Sequence, residues 1–203
     1  MNNKRIVYFT IGLILTAVSC NREDRPQADS VKDEKKEEAK QELAILPVDL
    51  IAEFQQFDEA VLWIKYDSAK QLVDAAVLND EHDSLMDALH LAAMYAMALQ
   101  RTDIAAWQLN NIGYYSIEEF QKRTNYGKRM RQIETMPHDS SKIRYIEETR
   151  FILRSEMALL KNATRFLEKA YELNSNLDDP DRTQKIYSNL KFIDWIRNFI
   201  DKR

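Results

Sequence analysis

Only three glycines and four prolines interrupt a chain of 203 residues. Tight turns and β-hairpins draw on Gly and Pro because few other residues reach their backbone angles or fix them in advance. A chain this poor in both is restricted to long elements joined by few, plain connections. Ala, Leu, Ile, Glu and Lys, all compatible with helices, dominate the rest. The prolines fall where such elements would meet. Pro26 lies in a charged stretch, Pro47 precedes the first apolar periodicity, Pro137 separates two patterns and Pro180 opens the last. Proline is tolerated at a helix start and disruptive inside one, so this placement supports the segmentation. No apolar–polar alternation is long enough to suggest a strand, and the fold class is all-α.

Helical spacing gives the elements in turn. Leu50, Phe54, Phe57, Val61 and Ile64 step by four, three, four and three, which predicts one amphipathic helix. Asp67-Ser68 is read as the start of a second helix running to about Leu78. After the polar break "NDEHD", Leu85, Leu89, Ala92, Ala96 and Leu99 mark a third, with Asp83 or Ser84 as its cap. Thr102-Asp103 opens a fourth, from Ile104 into the 120s. Gly127 and Pro137 flank a stretch without a clear pattern. Asp139 or Ser140 is expected to cap one very long helix through Leu173, with Ile146, Leu153, Met157, Leu160, Leu167 and Tyr171 on one face. In the last helix Asp179 is the N-cap, Pro180 the first helical residue, and Ile186, Leu190, Ile193 and Ile200 the stripe.

The first twenty residues, "MNNKRIVYFTIGLILTAVSC", carry a different signal. Lys4 and Arg5 precede an apolar run from Ile6 to Val18, too short for a comfortable membrane span and shaped like a secretory signal. It ends in Ala17-Val18-Ser19-Cys20, a small residue directly before the only cysteine. This resembles the lipobox of bacterial lipoproteins, with alanine where leucine is usual. The resemblance implies cleavage before Cys20, a diacylglyceryl thioether on its sulfur and an acylated amino terminus. An ordinary signal peptide or a short anchor with an incidental cysteine is the alternative. No Asp follows Cys20 directly, so the inner-membrane retention signal is not matched, and the expected location is the outer membrane, lipid-anchored. Glu23 and Asp24 resemble a surface-export signal, which leaves the periplasm-facing and cell-surface orientations both open. The next residues, "NREDRPQADSVKDEKKEEAKQ", offer almost nothing to bury and read as a charged tether. Within it Asp29-Ser30-Val31 resembles a short bacterial O-glycosylation sequon. The organisation expected is signal peptide over 1–19, acylated cysteine and tether over 20–46, and a helical domain over 47–203.

Inside that domain "DIAAWQLNNIGYYSIEEF" resembles the first helix of a tetratricopeptide repeat. Leu109, Ile112 and Gly113 fill three of its positions, while the aromatic position falls on Ser116, one residue after Tyr115. A glycine in a helix costs about 1 kcal/mol, and close helix–helix approach is the physical reason to keep one. Ala163, Leu167 and Ala170 resemble the second helix of such a repeat, with Ser175 where proline is common. The pieces do not keep the family's period of roughly 34 residues. The resemblance implies antiparallel helical hairpins packed as a short superhelix or bundle, and an unrelated helical bundle is the alternative. It also implies a concave groove lined by Trp107, Asn110, Asn111 and Tyr114, an aromatic surface plus amides suited to peptides. The plainer reading makes the aromatics core residues and the asparagines solvent-facing.

Other chemistry is sparse. One cysteine excludes an internal disulfide framework and thiolate clusters. Asp87-x-x-His90 is a single carboxylate–imidazole pair where helical di-metal sites need two and more carboxylates; His82 and His138 add nothing to it. No catalytic triad order, phosphate loop or zinc-protease helix appears, so no enzyme, cofactor or metal is expected. A net charge of −4 argues against nucleic acid as a partner. The one basic patch, Lys122, Arg123, Lys128, Arg129 and Arg131, would suit an acidic protein surface or anionic headgroups, or is a solvated connector. The function expected is a membrane-anchored adaptor or accessory subunit of a bacterial envelope machine of the secretion, pilus or outer-membrane assembly type. It would meet the bilayer through Cys20 and a protein partner through the groove. A surface lipoprotein for a small ligand or glycan is the alternative, and a helical hydrolase a third. Metabolic labelling with a palmitate analogue is expected to mark the chain, and Cys20→Ala to abolish the label.

Overall fold

A computed structural model of the chain describes residues 45–177 and 179–202. The lipobox, Cys20 and most of the expected tether lie outside the described residues. Contacts gather Leu43–Arg203 into one compact unit. Eight helices are present among the described residues: α1 (Val48–Phe54), α2 (Glu59–Asn79), α3 (His82–Ala98), α4 (Thr102–Thr124), α5 (Tyr126–Thr135), α6 (Ser140–Ser155), α7 (Met157–Asn174) and α8 (Pro180–Asp201). No strand is present among these residues, and the chain is an all-α assembly of helical hairpins. No described helix is long and apolar enough to cross a membrane.

With so few glycines, helices end on other residues. Asp80, Gln100 and Asn125 take the left-handed conformation, at φ of 56°, 57° and 49°. After α2 the amide of Glu81 donates to the Ala76 carbonyl and that of Asp80 to Val77; after α3 Arg101 and Gln100 repeat the pattern onto Ala96 and Met97. These reciprocal bonds satisfy carbonyls that a helix end leaves orphaned and turn the chain back within two or three residues. The resulting connections stack α2, α3 and α4 as antiparallel neighbours. At helix starts, Asp139 accepts from the amides of Ser141 and Lys142, and Asp179 from Arg182 with Pro180 in the first turn. Both caps agree with the sequence.

α4 lies at the centre. It packs against α3 on one side and α7 on the other, and touches α5 and α8. Its buried face carries Ala105, Ala106, Leu109, Ile112, Ile117 and Phe120. Arg123 near its end pairs with Glu156 at the start of α7 (3.7 Å), so the two helices run antiparallel. At mid-length Gly113 meets Leu167: a Cβ built on Gly113 would lie 2.4 Å from the Leu167 Cγ. The close approach expected of this glycine is what the structure contains. α8 in turn lies antiparallel to α7, tied at one end by Asn174 to Thr183 (2.8 Å) and at the other by Arg197 to Thr164 (2.8 Å). α5 and α6 are interposed between α4 and its hairpin partner α7, which explains why the repeat-like pieces keep no fixed period. Arg150 and Arg154 of α6 donate to the carbonyls of Phe199 and Ile200, two of the orphaned acceptors at the C-terminal end of α8.

Four expectations are corrected. The first stripe is not one helix: the chain turns at Gln55–Asp58, and Phe57, Val61 and Ile64 face outward. α2 instead buries Leu62, Ala69, Val73 and Ala76. Asp67-Ser68 starts nothing, because the Ser68 hydroxyl bonds back to the Ile64 carbonyl (2.8 Å) inside a continuous helix. α3 begins at His82, before Asp83 and Ser84, with Glu81 at its N-cap position. The long helix from Asp139 to Leu173 is two, α6 and α7, separated at Glu156, where the amides of Glu156 and Leu159 form three-residue bonds to Leu153 and Glu156.

Gly113→Ala is expected to lower stability by about 1–3 kcal/mol through overpacking. Adding Leu167→Ala should recover part of that loss, so a double-mutant cycle by chemical denaturation should be clearly non-additive.

Candidate functional site

Trp107, Asn110, Asn111 and Tyr114 recur at steps of three, one and three, which places them on one strip of α4. The strip faces a second one on α8, formed by Gln184, Lys185, Ser188 and Asn189, across a cavity of about 400 Å³. Tyr115 completes the wall. All four expected groove residues therefore border one concavity, although α4 and α8 are far apart in sequence.

Their roles within it differ. Asn110 is only 4 % exposed, and its Oδ1 accepts from Asn189 Nδ2 (3.1 Å), so it forms the floor and joins the two helices. Asn111 is half-buried beside it. Trp107 is half-buried, with the Lys185 ammonium 5.2 Å and the Arg182 guanidinium 5.6 Å from its ring. Arg182 is held there by the Asp103 carbonyl (2.6 Å) and the Asp179 carboxylate (3.3 Å). Tyr114 is the exposed member, at 42 %. Its ring stands edge-on to Tyr115 with centroids 5.3 Å apart, and its hydroxyl donates to Glu118 Oε1 (2.5 Å). That carboxylate, followed by partial burial, pushes the phenol up to about 12. The groove thus offers two aromatic surfaces, amide donors and acceptors, and a cationic rim at Lys185.

The α8 half was missed in the sequence. The apolar stripe of that helix does not reveal it, although the polar pairs Gln184-Lys185 and Ser188-Asn189 recur four residues apart, the spacing of a single helix face. At the family's aromatic position, Ser116 is buried and bonds back to the Ile112 carbonyl (2.8 Å), while Tyr115 packs on the core.

The basic residues do not form one open patch. Lys122 pairs with Asp80 (2.5 Å), Arg123 with Glu119 (2.7 Å), and Arg129 with Glu148 (3.2 Å). Arg129 also donates to the Thr124 carbonyl, across the α4–α5 junction. These three are engaged in holding helix ends; Lys128 and Arg131 are exposed on α5. The histidines also separate. His90 Nε2 meets the Ile45 carbonyl at the entry to the domain, Asp87 is exposed, His82 is half-buried at the start of α3, and His138 is exposed in the α5–α6 connection. Among the described residues no three His, Cys, Asp or Glu side chains are grouped to hold a metal ion.

The Tyr114 phenol sits above its ordinary value of 10.0, so folding favours its neutral form. That contribution is complete below pH 10 and is lost as pH rises through about 12. Glu118→Gln is expected to return the Tyr114 titration toward 10, read by NMR of the ring resonances assigned with Tyr114→Phe. Compared with protein-family models, curated proteins and solved structures, the chain matches none of them.

Proposed function

We propose that this chain is a membrane-anchored lipoprotein whose helical domain is a protein–protein interaction adaptor, an accessory subunit of a bacterial envelope machine of the secretion, pilus or outer-membrane assembly type. The lipobox-like "AVSC" supports the anchor: acylation at Cys20 would hold the domain at the outer membrane, since each buried methylene adds roughly 0.8 kcal/mol. The observation that carries the adaptor reading is the groove between α4 and α8. Asn111, Gln184 and Asn189 line it with amides that match the donor–acceptor pattern of a peptide backbone. Trp107 and Tyr114 offer apolar area for side chains at low conformational cost. Asn110 is already bonded to Asn189, so the floor is formed before a partner arrives, which lowers the ordering cost of binding.

The same aromatics and amides also suit a saccharide, and Trp107 beside Asn111 and Gln184 is the observation that favours this second reading. A photo-crosslinking residue at Tyr114, in cells, separates the two. The expected result is a covalent adduct with one envelope protein, lost when Trp107→Ala is added. The absence of any protein adduct, together with saccharide binding by the purified chain, would transfer the groove to the glycan reading.

A further inference from the structure

α2 has two apolar faces, and the second faces away from the core. Ile64, Leu72 and Leu78 leave 66, 57 and 85 % of their surface exposed and Val61 leaves 36 %; Phe57, just before the helix, is 45 % exposed with the Lys65 ammonium over its ring (4.9 Å). The four side chains on the helix present roughly 400 Å² of apolar surface, within the range of the largest patch on a typical monomer. Among the described residues α2 packs chiefly on α3 and reaches α4 through the Gln108–Tyr66 hydrogen bond (3.0 Å), so it lies at the end of the α2–α3–α4 stack. The end of a helical stack normally turns a polar face outward; here no charge falls at any position of the stripe Val61, Ile64, Ser68, Leu72, Ala75 and Leu78.

We propose that this face is the interface of a homodimer, in which α2 of one copy crosses α2 of a second copy antiparallel about a two-fold axis at Ser68. The pattern of the stripe is self-complementary about that residue. Ile64 and Leu72 lie four residues either side of Ser68 and oppose each other across the axis, and Val61 and Ala75 lie seven either side and pair large against small. Ser68 on the axis is small enough for close approach, and its hydroxyl is already satisfied by the Ile64 carbonyl. The same two-fold relation places Lys65 opposite Gln71 and brings Leu78 opposite Asp58, at the N-cap of the helix, so no like charges meet and the apolar pairing is confined to the span from Val61 to Ala75. The helix has 21 residues, about 30 Å at 1.5 Å per residue. That length, with the polar flanks of the stripe, can supply the roughly 800 Å² per partner of a standard interface. A membrane surface is a poorer occupant. Interfacial helices carry a cationic polar face, whereas the flanks here balance Lys65 and Lys70 with Asp67 and Asp74.

Sedimentation equilibrium of the full chain in density-matched detergent tests this directly. Twice the chain mass is expected at micromolar concentration. Ile64→Glu, on the exposed face, should give a monomer with unchanged helical circular dichroism. Leu72→Ser, which adds no charge at a mostly exposed position, should weaken the dimer by at least about tenfold. A wild-type monomer throughout, or variants that dimerise as the wild type does, would overturn the proposal. So would a monomer that co-sediments with phosphatidylcholine vesicles and loses this on Ile64→Glu, which would assign the face to lipid. Crosslinking from Tyr114 reads a different face, so failure of one reading leaves the other intact.

Discussion

Where α4 crosses α7, the missing side chain at Gly113 lets Leu167 occupy the space that a Cβ would take. Everything around the centre of the domain depends on that approach. Phe120, Leu109 and Leu153 are fully buried in the same core, with Leu160 and Ile196, and this cluster links four helices. A helix pair held further apart would leave unfilled volume along it, and residual cavity volume is what makes large-to-small core changes costly. The penalty of a glycine in a helix interior is about 1 kcal/mol. Full burial of Leu167 alone stabilises by roughly 1.5–3 kcal/mol, so the packing decides. With α7 fixed against α4, α8 is fixed against both, and its C-terminal carbonyls are closed off by Arg150 and Arg154 from α6.

The groove is a consequence of this arrangement. α8 reaches its place beside α4 through α7, at the Asn174–Thr183 and Arg197–Thr164 bonds, and directly at the Asn189–Asn110 bond. Its two walls therefore sit on rigid helices, and its floor is made by a hydrogen bond between side chains that are otherwise mostly buried. The cations beside Trp107 are arranged differently. Arg182 is immobilised by a carbonyl and a carboxylate, whereas Lys185 is exposed over the ring and keeps a strongly hydrated point charge at the rim. Such a rim favours acidic partners and would steer them by charge rather than by shape.

The sequence made the helices legible wherever one apolar face met one core. The stripe of α8, the repeat-like positions Leu109 and Ile112 of α4 and the caps at Asp139 and Asp179 belong to this class. So does Gly113, where local chemistry and tertiary packing agree. The first stripe failed for a physical reason. Helical periodicity records that a face is apolar and does not record what covers it. Phe57, Val61 and Ile64 show regular spacing yet face outward, while Leu62, Ala69 and Val73 of the same helix turn inward. Polar residues mislead similarly. Asp67-Ser68 has the composition of a helix cap, but the Ser68 hydroxyl bonds back within its own helix. The groove was half legible: α4 carried a recognisable strip, but the α8 wall is brought to it only by tertiary packing. The interposed α5 and α6 hid the hairpin relation of α4 and α7 from any search for a fixed period.

The two unassigned surfaces differ in kind, and the difference follows from their construction. The α4–α8 groove is concave, amide-lined and cationic at its edge, and under the proposed function it would recognise by hydrogen bonding a chain that is extended and polar along its backbone. The α2 face is convex, uncharged and without hydrogen-bonding demand, since the only hydroxyl along its stripe is already satisfied. A surface of that kind can gain only from apolar burial against an equally uncharged helix, and its own copy is a partner guaranteed to be one. α2 packs chiefly on α3, whereas α8 packs on α4, α6 and α7, and none of the groove-lining residues belongs to α2, so self-association through α2 would leave the groove open. A dimer would then carry two grooves. If both engage sites on one partner, the second binding event becomes intramolecular, and affinity can rise by about 10²–10⁴ without any new contact. A shallow groove of modest affinity per copy would be sufficient under that geometry, and the proposed lipid anchor, by confining both copies to a surface, would act in the same direction.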